Sequence, residues 1–80
     1  MKITLSEGQH VQIGSTLVSI HRARGGRTTL DIDTEDCVRR DKLIERELAE
    51  RGWDRIGLDL WQYGNAIQST HGALMEAGLL

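Results

Sequence analysis

The chain contains no proline and no phenylalanine, only one cysteine, and no apolar run long enough to span a membrane. A lone Cys37 excludes an internal disulfide, and no pair of CxxC motifs offers a structural zinc site. The opening MKITLSEG lacks the apolar stretch of a signal peptide. With one thiol and no membrane segment, a reducing cytoplasm is the expected location. Neither sign of charge dominates: 10 Lys+Arg stand against 12 Asp+Glu, a net charge of −2. Bulk charge therefore cannot hold this chain to nucleic acid, and any such role needs a local basic patch. Low-complexity segments and a convincing internal repeat are also missing. Eighty residues fit one domain with a small core. Without a disulfide or a metal, pairing with a second copy is the expected source of further buried surface.

What is present changes character near residue 41. Before it, Ile3 and Leu5, Val11 and Ile13, Leu17, and Leu30 and Ile32 alternate with polar neighbours, the period of half-buried strands. Glu7-Gly8, Gly14-Ser15 and Gly25-Gly26 are turn-forming separators. The pattern predicts strands near 2–5, 9–13, 17–23, 27–32 and 36–39, arranged as an antiparallel meander. The open edges of so small a sheet again favour a partner chain.

After residue 41 the pattern reads as helical. Asp41 can cap a helix to about Arg51 whose stripe is Leu43, Ile44 and Leu48. Gly52 is placed as its C′ residue, with Trp53 at C″. Leu60, Gly64, Ile67, His71 and Leu74 then share a helical face, which predicts a second helix starting between 54 and 60. Ser69-Thr70 could instead cap a short terminal helix. The fold class is thus α+β: a small antiparallel five-stranded β unit followed by one or two helices. It forms a single domain, with a β unit at 1–40, a helix at 41–52 and a helical extension at 53–80.

Asp31, Asp33 and Glu35 open like a calcium loop, but Asp36 and Lys42 stand where that loop needs glycine and glutamate. His10, His21 and Cys37 match no zinc spacing, so no metal is expected; the histidines read as surface or partly buried and Cys37 as a small core residue. No nucleophile elbow, phosphate-binding glycine loop or metal dyad appears, and neither an enzyme nor a cofactor is expected. The basic groups carry the strongest signal. Arg22 and Arg24 precede the Gly25-Gly26 turn and Arg27 follows it, while Arg39 and Arg40 end the last strand on opposite faces. They suit recognition of RNA or of an acidic protein surface. The plainer alternative is solvated arginines paired with Asp31, Asp33, Glu35 and Asp36.

Gly8-Gln9-His10-Val11-Gln12-Ile13-Gly14 resembles the G-x-x-[LV]-x-I-G segment of the carbon storage regulator (CsrA/RsmA) family. The glycine turn and Leu30-x-Ile32 follow in the family's order. Val38-Arg39-Arg40-Asp41-Lys42-Leu43 resembles its V-x-R-[DE]-[DE]-[IL] strand-to-helix junction. The resemblance covers about residues 1–48. It implies five strands and a helix, interleaved between two chains in a homodimer that binds GGA-containing hairpins in messenger RNA and blocks ribosome access. By position, the resemblance implies that Val38, Arg39 and Arg40 make the last-strand RNA contacts, with Arg40 foremost; Arg22, Arg24 and Arg27 are read from their clustering as auxiliary phosphate contacts. Ser6-Glu7 depart from the arginines that the family carries at the end of its first strand, and Asp33-Thr34-Glu35-Asp36 is more acidic than its loop. The alternative is a protein-binding module or inhibitor on the same scaffold that has lost RNA binding. Its partner-binding residues would be Trp53, Trp61 and Tyr63 in the extension.

Overall fold

Alternation of apolar and polar residues builds the first strand, β1 (Lys2–Ser6), in which Ile3 and Leu5 are buried and their neighbours face outward. A computed structural model describes all of residues 1–80. After β1 come β2 (His10–Ile13), β3 (Thr16–Ser19), a 3-10 turn (Arg24–Gly26), β4 (Arg27–Asp31), β5 (Val38–Arg40) and α1 (Asp41–Glu50). The chain continues through β6 (Asp54–Gly57), β7 (Leu60–Tyr63), β8 (Ala66–Gln68) and α2 (Thr70–Glu76). The expected α+β class, with antiparallel strands and two helices, holds. The chain divides into two compact units, Met1–Asp41 and Lys42–Leu80, where composition suggested one domain.

In the first unit β1 pairs antiparallel with β4, and β2 lies between β3 and β5. Ile3, Leu5, Val11 and Ile20 form the core, with Ile13, Val18, Ala23, Leu30, Ile32 and Val38 packed against it. Each fully buried aliphatic side chain contributes roughly 1.5–3 kcal/mol. Because β2 is central, His10 and Gln12 are buried along with Val11. His10 is thus an interior residue, not the surface or partly buried one expected, whereas Cys37 is exposed instead of in the core. The ladders β1–β4 and β2–β5 close within one chain. A strand-exchanged dimer would make the same pairings between two chains.

The turn between β2 and β3 shows why glycine is needed there. Gly14 has φ +58° and Ser15 does not have a positive φ, the signature of a two-residue type II′ hairpin turn. The Gln12 side chain braces it by donating to the Gly14 carbonyl at 3.1 Å. Fifty residues later the device recurs. Gly64-Asn65 joins β7 to β8 with φ +57° at Gly64, and Gln62 donates to the Gly64 carbonyl at 3.1 Å.

That hairpin corrects the reading of the extension. Residues 54–68 are not helical but form the antiparallel sheet β6-β7-β8, and only 70–76 are α-helical. Trp61 is the buried centre of this sheet, with Arg55 and Gln68 opposite it on the neighbouring strands. The three-and-four spacing of Leu60, Gly64, Ile67, His71 and Leu74 suggests a helical face. In the sheet, Leu60 and Ile67 are exposed and Gly64 lies in the turn, while Leu74 is buried in α2. Ser69 caps α2 by accepting from the Gly72 N–H at 3.1 Å. Both helices end in Schellman motifs. The N–H groups of Trp53 and Gly52 donate to the Leu48 and Ala49 carbonyls, and those of Leu79 and Gly78 to the Leu74 and Met75 carbonyls.

Candidate nucleic-acid interface

The outward face of the β1–β4 ladder is set by register. Lys2 stands opposite Asp31, Thr4 opposite Thr29, and Ser6 opposite Arg27, while Ile3 and Leu30 turn toward the core. The Thr4 and Thr29 hydroxyls meet at 3.1 Å, and the Met1 ammonium lies 3.9 Å from Asp31. Ser6 and Glu7 occupy positions where the resemblance led to an expectation of arginine. Arg27 restores a cation at that end of the ladder from the adjacent strand. Lys2, Thr4 and Thr29 belong to this face and were missed in the sequence. Their signal was the alternation of β1 itself, read only for its apolar half.

Arg22, Arg24 and Arg27 surround the Gly25-Gly26 turn, and all three are exposed. Gly25 and Gly26 have φ +72° and +80°, so the turn needs glycine at both places. Glu7 anchors it. Its carboxylate accepts from the Ala23 N–H at 2.9 Å, and its own N–H donates to the Gly26 carbonyl at 3.2 Å. The acidic departure at position 7 therefore shapes the arginine turn.

On β5, Arg40 is exposed opposite Val11, and Arg39 is half-buried opposite Gln12, as alternation requires. The half-buried Val38 side chain packs against the core cluster. The strand ends in a particular junction. The Asp41 carboxylate accepts from the buried His10 N–H at 2.8 Å and lies 3.5 Å from His10 Nδ1. Its side chain thus extends the β2–β5 ladder one step past Arg40 while the backbone turns into α1.

Arg22, Arg24, Arg27 and Arg40 form no ion pair, with the acidic stretch 33–36 or with any other carboxylate. Asp36 is instead engaged locally, with its N–H donating to Thr34 Oγ1 at 3.0 Å and its carboxyl group packed against Gly14. His10, His21 and Cys37 do not come together, and no group of three His, Cys, Asp or Glu side chains is placed to hold a metal.

In the second unit the three aromatic candidates separate. Trp61 is buried, and its Nε1–H donates to Thr70 Oγ1 at 2.9 Å. Arg55 lies 5.3 Å over its ring and pairs with Glu45 at 2.9 Å. Trp53 is buried as well. Both tryptophans are core residues and not the partner contacts expected; only Tyr63 is exposed. Its ring centroid lies 5.5 Å from that of Trp53, beside a cleft of about 420 Å³ lined by Arg51, Trp53, Tyr63, Glu76 and Ala77. Leu60 and Ile67 are exposed on the other face of the sheet, with Ile56 and Leu58 exposed nearby. No helix is long and apolar enough to cross a membrane. Compared with models of protein families, with curated proteins and with solved structures, the chain gives no match.

Proposed function

We propose that the chain is an RNA-binding post-transcriptional regulator that acts on messenger RNA as a homodimer, with the first unit as its RNA surface. The observation that carries the reading is the set of exposed arginines, Arg22, Arg24, Arg27 and Arg40, that form no ion pair. Guanidinium groups free of internal ion pairs are available for bidentate phosphate and base contacts. Arg27 opposite Ser6 offsets the missing first-strand cations, and the Thr4–Thr29 face supplies hydroxyls for sugar and phosphate. The junction Val38–Leu43, which resembles that of the carbon storage regulator family, supports the same reading.

The test is a fluorescence-anisotropy titration of a GGA-containing RNA hairpin against the purified protein at moderate salt. Saturable binding is expected, weakened about tenfold or more by Arg40→Ala with the fold intact, since a guanidinium contact contributes about 1–3 kcal/mol. Absence of binding at micromolar protein would exclude this function. A second reading, a protein-binding module, draws on the exposed Ile56, Leu58, Leu60 and Ile67 of the second unit. It predicts that Leu60→Ser and Ile67→Ser abolish partner capture without touching RNA affinity.

A further inference from the structure

We infer that the cleft of the second unit is a guanine-nucleotide subsite, with Tyr63 as the stacking platform, Glu76 as the base-edge acceptor and Arg51 as the phosphate contact. The cleft is built from three different elements: Arg51 and Trp53 follow α1, Tyr63 ends β7, and Glu76 ends α2. Its volume of about 420 Å³ falls within the range of small-molecule sites.

The platform is packed on one side by α1's ending. Gly52 lacks the Cβ that would stand 3.0 Å from Tyr63 Cε2, and its φ of +89° belongs to the Schellman ending of α1. Trp53 backs the same ring at a tilt of 41°. Tyr63 nevertheless remains 53% exposed, so part of its ring surface is available for stacking. Glu76 is also positioned, because Gln68 Nε2 donates to its Oε1 at 2.8 Å. Its carboxylate retains lone pairs on both oxygens. Arg51 is steadied by one bond, from Nη1 to the Glu47 carbonyl at 2.9 Å, which leaves its other N–H groups for a ligand.

The choice of occupant follows from these groups together. A cationic side chain would meet Arg51, and an apolar one would desolvate Arg51 and Glu76 without partners. A nucleotide answers all three, with a π face for Tyr63, base-edge donors for Glu76 and a phosphate for Arg51. Among the bases, guanine alone presents two adjacent donors, N1–H and the N2 amino group, that a carboxylate can accept side by side. Adenine and cytosine place a ring acceptor beside their amino group, and uracil offers one N–H between two carbonyls. The subsite extends RNA recognition into the second unit and does not depend on the arginines of the first.

The test titrates the full chain with GMP, AMP, CMP and UMP, following backbone amide shifts at Arg51, Tyr63 and Glu76 by NMR. GMP should saturate the shifts with an affinity about tenfold or more above the other three. Glu76→Gln should lose that preference, Tyr63→Phe should keep it, and Tyr63→Leu should lose binding. Arg51→Gln should weaken GMP while leaving guanosine unchanged. Arg40→Ala should leave GMP binding intact, so failure here is distinguishable from failure of hairpin binding. No saturable shift with millimolar GMP, or equal response to all four nucleotides unaltered by Glu76→Gln, overturns the subsite.

Discussion

Replacing Asp41 by alanine should loosen the strand-to-helix junction by an amount the geometry sets. The carboxylate accepts from the His10 N–H at 2.8 Å in a buried position, and it begins α1. Leaving a buried backbone N–H without its acceptor costs about 1–3 kcal/mol. Losing a negative charge at a helix N-terminus costs about 0.3–1 kcal/mol more. An 80-residue chain has roughly 4–12 kcal/mol of stability, so the loss is a large fraction of it. Hydrogen exchange of the His10 amide is the direct assay, because the first unit has no tryptophan to report its unfolding. Its protection should fall about 9- to 900-fold in Asp41→Ala, the range matching the summed cost of about 1.3–4 kcal/mol. Asp41→Asn keeps an acceptor oxygen and should retain most of that protection. Equal loss in both variants, or no loss in Asp41→Ala, would refute the role assigned to the carboxylate.

Single residues set two further outcomes, and the chain mass sets a third. Thr70→Val removes the acceptor of the buried Trp61 Nε1–H at 2.9 Å; it should cost about 1–3 kcal/mol, and each kcal/mol should lower the Tm of a chain this size by about 4–8 °C in calorimetry. Gly64→Ala and Gly14→Ala share a φ near +58°, but a Cβ meets nothing at Gly64 and Asp36 at 3.2 Å at Gly14. Urea titration should show Gly64→Ala costing about 1–2 kcal/mol from backbone strain and Gly14→Ala costing more. Sedimentation equilibrium should return about twice the 9.0 kDa chain mass if the proposed dimer forms, and a value near 9.0 kDa discards it.

The first unit was legible because its cues were local. Period-two alternation located β1, β2 and β4 to within a residue or so, and Asp41 and Gly52 marked the ends of α1. The third expected strand, 17–23, ran too long. The structure instead ends β3 at Ser19, with the Ile20 N–H and carbonyl bonded to Gln9 and Gly8. Residues 54–68 of the second unit were misread as helical because Leu60, Gly64, Ile67, His71 and Leu74 repeat at spacings of three and four. The competing signal was present in Gly64-Asn65, a turn pair like Gly14-Ser15, with glutamine two residues before each glycine. The arginines were identifiable by type and position. Their freedom from ion pairs, and the placement of Arg27 across from Ser6, needed the register of the ladder.

The salt dependence of hairpin binding tests the central claim most directly. Four arginines on phosphates predict a slope of log K against log salt of about −3, using about 0.7 per contact for single-stranded nucleic acid. Arg40→Gln should reduce that slope by about one contact while the RNA still binds. A slope near zero, or one that Arg40→Gln leaves unchanged, would contradict the assignment of the RNA surface to these arginines.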